Sequence, residues 1–294
     1  MGKRADFIII GAMKCATSTL RLQLARQAGF FMCAEEPNFF SNDDRYSRGI
    51  EWYENLFEGA PAGCLCGESS THYTKLPTYP HTVERMYGDM PDIRLIYIMR
   101  HPIDRLVSQY IHEWTERNID VPINVAIDRH PELISYSCYA MQIEPYLSTY
   151  GSRHVLPVFF DGLRTEPQAE LERVCRFLGY EGEVKWAHER PQNVSSERMR
   201  KSALRDAIVE FPPLAMVRRR FVPKAIRNRV RDLWTLRQRP EISEANQRRL
   251  VQVFDEDLKR LGEWIGQDIS CANFRQVTAG ESRPVAWKKE ELPA

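Results

Sequence analysis

Residues 6–19 read Asp-Phe-Ile-Ile-Ile-Gly-Ala-Met-Lys-Cys-Ala-Thr-Ser-Thr, and this run constrains the fold more than any other stretch of the chain. Phe7–Ile10 is apolar and β-branched, as in a strand buried on both faces. Gly11 permits a tight turn, and Thr17, Ser18 or Thr19 can cap a helix running through Leu20–Ala28. Unpaired N–H groups at a helix start, beside the ammonium of Lys14, suit a phosphate or sulfate. A nucleoside-triphosphate loop would place four residues between its first Gly and a Gly-Lys-Ser/Thr. Here Lys14 follows Gly11 by three residues and no Gly-Lys pair occurs in the loop. The stretch is either a different phosphate loop or none.

A second motif narrows the choice. Residues 93–99 form another buried-strand candidate, ended by Arg100-His101-Pro102. Pro102 suits a first helical turn, and Ser108 follows about two turns later. A Mg-dependent nucleotidase would often end this strand in an Asp that serves the metal. An arginine with a nearby hydroxyl suits a second phosphate instead, with no metal required.

Together the two motifs resemble the sulfotransferases that use 3′-phosphoadenosine 5′-phosphosulfate (PAPS). Gly11-Ala-Met-Lys14-Cys-Ala-Thr17-Ser-Thr19-Leu matches the family's 5′-phosphosulfate loop. Arg100-His-Pro-Ile-Asp-Arg-Leu-Val-Ser108-Gln-Tyr matches its 3′-phosphate strand and helix. Glu36-Pro-Asn-Phe39-Phe40, Gly49-Ile-Glu-Trp52-Tyr53, Gly67-Glu68-Ser-Ser-Thr-His-Tyr73 and Phe177-Leu178-Gly179 extend the likeness, most closely to the heparan-sulfate and bacterial branch. The resemblance covers residues 5–270 and leaves 271–294 as a C-terminal tail, whose final twenty residues look loose. Two departures stand out. The family loop usually carries Gly where Cys15 and Ala16 stand, and heparan-sulfate members commonly have Lys where Ser69 stands.

The resemblance implies that Lys14, Cys15, Ala16, Thr17, Ser18 and Thr19 hold the phosphosulfate end of PAPS, and that Arg100 and Ser108 hold the 3′-phosphate, with PAP as product and no metal. Arg198 falls where a basic loop closes over the nucleotide, although the Gly-rich form of that loop is absent. Sulfuryl transfer is an in-line displacement catalysed mostly by positioning and electrostatics. It needs a cation at the leaving phosphate, a role for Lys14, and a base for the acceptor's proton. Glu36 occupies the base position of the heparan-sulfate branch; His72 is the rival from the small-molecule branch. Glu68 could orient Lys14 or the acceptor, cap a helix or pair with an Arg.

Four strand candidates (6–10, 64–67, 93–99 and 154–160) alternate with helical stretches. They predict a single α/β domain with a central, mainly parallel sheet flanked by helices. A chain of 294 residues, 43% of them apolar, can bury a full core. Seven scattered cysteines do not form a disulfide framework, and no run approaches the ~18 apolar residues of a membrane span. The Lys3-Arg4 start mimics a secretion signal, but Lys14 ends the apolar run too early. The expectation is a soluble, cytoplasmic enzyme.

The net charge of +1 hides an asymmetry: residues 198–239 carry 13 Lys/Arg against three acids. This is a solvated helical face, a wall for an anionic acceptor or a membrane-surface contact. Few aromatics interleave, so nucleic acid is not expected as a partner. Two other functions compete with sulfuryl transfer. One is a kinase-like phosphotransferase, disfavoured by Arg100 and the missing Gly-Lys-Ser/Thr. The other is an inactive basic binding module, disfavoured by Lys14, Glu36, Arg100 and Ser108. The acceptor class (glycan, lipid, phenol or secondary metabolite), O- against N-sulfation and the oligomeric state are not legible.

Overall fold

The computed structural model of the protein describes residues 3–187, 239–280, 283–284 and 286–288. The four expected strands are present as β1 (Phe7–Gly11), β3 (Leu65–Ser69), β4 (Arg94–Met99) and β5 (Val155–Phe159). A fifth, β2 (Phe30–Met32), is only three residues long, too short for a periodicity to reveal. The order is β2-β3-β1-β4-β5 and every described pairing is parallel. Residues Phe7–Ile10 are fully buried, as expected of a central parallel strand covered on both faces. Gly67 of β3 lies opposite Phe7, and a Cβ there would sit 2.2 Å from the Phe7 ring. The close packing of β1 on β3 therefore requires glycine at that place.

Helices occupy the connections. They are α1 (Thr17–Ala25), α2 (Asp43–Tyr46), α3 (Ile50–Asn55), α4 (Thr82–Asp89), α5 (Pro102–Glu116), α6 (Ile123–Arg129), α7 (Glu132–Ser135) and α8 (Tyr139–Tyr150). After β5 come α9 (Phe160–Thr165) and α10 (Pro167–Phe177), and later α11 (Glu244–Ile265) and α12 (Phe274–Thr278). The chain leaves β1 toward β2 on one side, whereas β4 and β5 lie on the other. The crevice at the carboxyl ends of β1 and β4 is thus a topological switch point, where open parallel sheets bind ligands.

Two expectations are corrected. Thr17, Ser18 and Thr19 do not cap α1: its N-cap is Ala16, in a left-handed conformation and without a side-chain hydrogen bond. Those hydroxyl residues lie inside the first turn, whereas a capping side chain must precede it. The tail beyond residue 270 is also not loose where it is described. Phe274 and Thr278 are completely buried, Arg283 donates to Glu170 at 2.9 Å, and the Trp287 indole donates to the Val155 carbonyl at 2.7 Å. Gly280 and Pro284 suggest a loose end locally, but the buried Glu170 carboxylate recruits Arg173 and Arg283 as partners. On α11, Asp257 accepts the Ala140 and Met141 amides at 2.9 and 3.0 Å and so caps the start of α8.

Candidate active site

The loop after β1 is shaped by its backbone. Gly11 has φ 149°, and Lys14 and Ala16 take left-handed values of 71° and 73°. The β1–β4 register slips by one residue between Ile9 and Gly11, and the Ala12 amide then bonds the Ile98 carbonyl at 2.9 Å. A Cβ at Gly11 would lie 2.0 Å from Thr74 Oγ1, which already donates to the Ile10 carbonyl at 2.9 Å. Glycine is obligatory there. The smaller residues expected at 15 and 16 are not required: the Cys15 side chain turns into the core, fully buried. Its thiol lies 3.8 Å from the Tyr139 hydroxyl, and burial raises its pKa against the opposing charge of Arg105.

Arg100 meets this loop from the end of β4. Its Nη1 donates to the Lys14 carbonyl at 3.3 Å and its guanidinium lies 4.6 Å from the Phe160 ring centroid. The Tyr139 hydroxyl clamps the Arg100 backbone, donating to its carbonyl at 2.5 Å and accepting its amide at 3.1 Å. Arg100 Nε is buried without a hydrogen-bond partner among the described residues. α1 starts without a side-chain cap, so its first amides and the Arg100 guanidinium together suit an anion. Ser108 lies in the second turn of α5, 8% exposed. Arg198 lies outside the described residues, as does the rest of the basic run through Gln238. Arg239, the last residue of that run, pairs with Asp104, which also binds Arg275 at 2.6 Å.

Glu36 approaches from the segment after β2. Its Oε2 accepts both the amide (3.2 Å) and the hydroxyl (3.1 Å) of Thr71, the first residue of a 3-10 turn (Thr71–Thr74) that follows β3. The segment is anchored by Phe39 and Phe40, both completely buried as the sequence suggests. Phe39 packs on Phe40, Tyr46, Trp52 and Tyr53 at ring separations of 5.0–5.9 Å. Burying two such rings stabilises the fold by roughly 1.5–3 kcal/mol each. Arg45 donates from α2 to the Glu36 carbonyl at 3.0 Å and also to that of Pro37.

His72 shares the turn with Thr71 but stacks on Tyr79, with centroids 5.0 Å apart and planes 14° apart. Burial, with Lys75 and Arg45 nearby, lowers its pKa to about 4. The Glu68 carboxylate accepts hydrogen bonds from hydroxyl groups of Ser70, Tyr73 and Tyr53. Lys75 is a residue the sequence reading passed over. Its ammonium lies 5.7 Å from the Tyr136 ring centroid, and burial lowers its pKa to about 8 against the charges of Glu113 and Glu36. Nothing in the local pattern marks it. Its significance comes from the turn that fastens Glu36 at Thr71 and leaves Lys75, at its end, within reach of the Glu36 charge.

Arg100 at a parallel-sheet switch point, with the Glu36 carboxylate held by the turn after β3, is an arrangement suited to an anionic ligand. The chain belongs to the sulfotransferase-domain family, whose model matches residues 4–262. Heparan sulfate glucosamine 3-O-sulfotransferase 5 of Homo sapiens is 30% identical over 184 residues, covering 58% of this chain and 52% of that protein. The 3B1 enzyme of Mus musculus is 29% identical over 182 residues, covering 58% and 45%. The chain thus spans about half the length of these relatives. The crystal structure of a sulfotransferase from Alicyclobacillus acidocaldarius superposes with a TM-score of 0.65 over 90% of this chain and 97% of its own, at 22% identity, and shares the fold.

Proposed function

We propose that this chain transfers the sulfuryl group of PAPS to a hydroxyl or amine of an acceptor, with PAP as the other product. The observation that carries the reading is the junction of Arg100 with the Lys14 carbonyl, which brings both anion-binding motifs to one crevice. Lys14 and the first amides of α1 would hold the 5′-phosphosulfate end, and Arg100 and Ser108 the 3′-phosphate. PAPS supplies an already activated sulfuryl group, so the protein's work is positioning, charge stabilisation and proton removal.

Glu36 is the proposed base. Thr71 fixes its carboxylate, which leaves the remaining lone pairs for an acceptor proton. His72 is the weaker choice, since its ring is stacked on Tyr79 and its basicity is lowered by burial. A cavity of about 350 Å³ lined by Phe40, Asn42, Asp43, Tyr79 and Arg85 offers room for an acceptor. Seven free thiols support a reducing, cytoplasmic setting, and among the described residues no helix is long and apolar enough to cross a membrane. The basic stretch 198–239 is proposed as an anionic-acceptor or membrane-surface contact.

The test is incubation with labelled PAPS and fractionated acceptor pools, identifying by mass spectrometry which acceptor gains a sulfate. In parallel, calorimetry without Mg²⁺ should show tighter binding of PAP than of ADP or ATP. Tighter, Mg-dependent ATP binding would overturn the reading.

A further inference from the structure

The Glu68 carboxylate is completely buried at the end of β3, and what faces it is a ring of hydroxyls. Ser70 Oγ donates to Oε2 at 2.7 Å, Tyr73 OH donates to Oε1 at 2.8 Å, and Tyr53 OH reaches Oε1 at 3.4 Å. The first two hydroxyls have a second task. Ser70 Oγ accepts the Asn38 amide at 2.9 Å, and Tyr73 OH accepts the Phe39 amide at 3.0 Å. Each hydroxyl owns one proton, and that proton goes to Glu68, so its oxygen is turned toward the backbone N–H.

We infer that Glu68 is the positioning residue for Glu36, acting through Ser70 and Tyr73 on the backbone two and three residues beyond it. The inference rests on the reading of Glu36 as the base. Asn38 turns the chain here with a left-handed φ of 49°, which Asn tolerates better than most side-chain-bearing residues, and the bond to Ser70 holds that turn in place. Residues 68–73 therefore grip the Glu36 segment twice: Thr71 takes the carboxylate, and the Glu68 relay takes the main chain.

The relay needs a charged Glu68. An ionised carboxylate accepts at both oxygens; a protonated one must donate from one of them. One hydroxyl would then lose the acceptor for its own proton, and its grip on a backbone amide would weaken. Burial raises the pKa of Glu68 to about 7, against the hydrogen bonds of Ser70 and Tyr73. Tyr53 on α3, Tyr73 on the turn and Tyr146 on α8 all lie well above their ordinary values, and Cys33 after β2 is raised too, each mainly by burial. These four stay neutral near pH 7, while Glu36 adds a like charge. The grip on Asn38 and Phe39 should accordingly loosen as pH falls through about 7.

Amide hydrogen exchange tests this without knowing the acceptor. In Ser70→Ala, protection of the Asn38 amide should fall about tenfold, and in Tyr73→Phe that of the Phe39 amide should follow, with β1 amides unchanged. Glu68→Gln mimics the protonated state, because its NH₂ must donate while its one oxygen still accepts; at least one of the two amides should lose protection, and both should lose their pH dependence. On an acceptor found in the labelling screen, Ser70→Ala and Tyr73→Phe should each lower kcat about tenfold, leave PAP affinity intact and cost nothing further in a Glu36→Gln background. Unchanged protection at both amides, or an equal loss spread over β1, overturns the inference. So does a tenfold loss that persists in the Glu36→Gln background. An undiminished Glu36→Gln enzyme overturns the base reading, whereas a crippled Glu36→Gln enzyme beside unaffected relay variants overturns the relay alone. Should Glu68→Gln fail to fold, the two hydroxyl variants still decide.

Discussion

The two halves of the site are built from opposite materials. At the ends of β1 and β4, left-handed residues at Lys14 and Ala16 bend a loop that we propose meets the anionic end of the donor. At the end of β3, carboxylates are held by hydroxyls: Glu36 by Thr71, and Glu68 by Ser70 and Tyr73. In the first half the buried Arg100 Nε has no hydrogen-bond partner among the described residues, which suits it to binding charge. The second is closely satisfied internally, so it is shaped for holding one group still. Binding and proton transfer should therefore respond to different substitutions.

The largest expected effect is on the second half. Glu36→Gln should lower kcat by about 10²–10⁴-fold, the usual worth of a general base, while calorimetric PAP affinity stays unchanged. A parallel loss of PAP affinity would show that the halves are not separable. Next comes Arg100→Ala, which should weaken PAP binding by about 2–4 kcal/mol through loss of a charge-assisted contact, read by the same calorimetry. If kcat at saturating PAPS fell as far as in Glu36→Gln, the division into binding and proton transfer would fail. His72→Ala should cost less than about tenfold in kcat, because loss of a stacked ring perturbs packing rather than chemistry. A dead but folded His72→Ala enzyme, beside an active Glu36→Gln enzyme, would move the base role to the histidine.

The smallest effect concerns stability. The pKa of Glu68 is raised by burial from 4.5 to about 7, so between those values the folded state binds more protons than the unfolded chain. Stability must then fall as pH rises across that window. Thermal melts should show the wild type gaining stability from pH 8 to pH 6 relative to Glu68→Gln. An equal pH response in both proteins would remove Glu68 as the titrating group and sharpen the contrast with the cation-rich half.

The two halves also differ in how much the linear chain discloses. Gly11, Lys14 and the hydroxyl run lie within nine residues, and Arg100 and Ser108 are likewise close in sequence, so strand, turn and helix signals mark both sites. The Glu36–Thr71 contact spans 35 residues and the Asn38–Ser70 contact 32. No periodicity encodes such pairs, and Glu36 could be singled out only by family likeness. The same limit explains the tail: Phe274, Arg283 and Trp287 look peripheral until β5 and Glu170 supply what they pack against.

By itself, the sequence determined the parallel α/β class and marked the two motifs proposed to bind the nucleotide's anionic ends, because buried strands, glycine turns and helix starts are local properties of a few neighbouring residues. Only the tertiary structure decided that Cys15 points into the core, that the charge of Glu36 reaches Lys75, and that Glu68 is hydrogen-bonded by hydroxyls. The physical reason is that burial, charge proximity and hydrogen-bond direction depend on which distant segments meet. That is settled when β3 lies down beside β1, with Gly67 against Phe7.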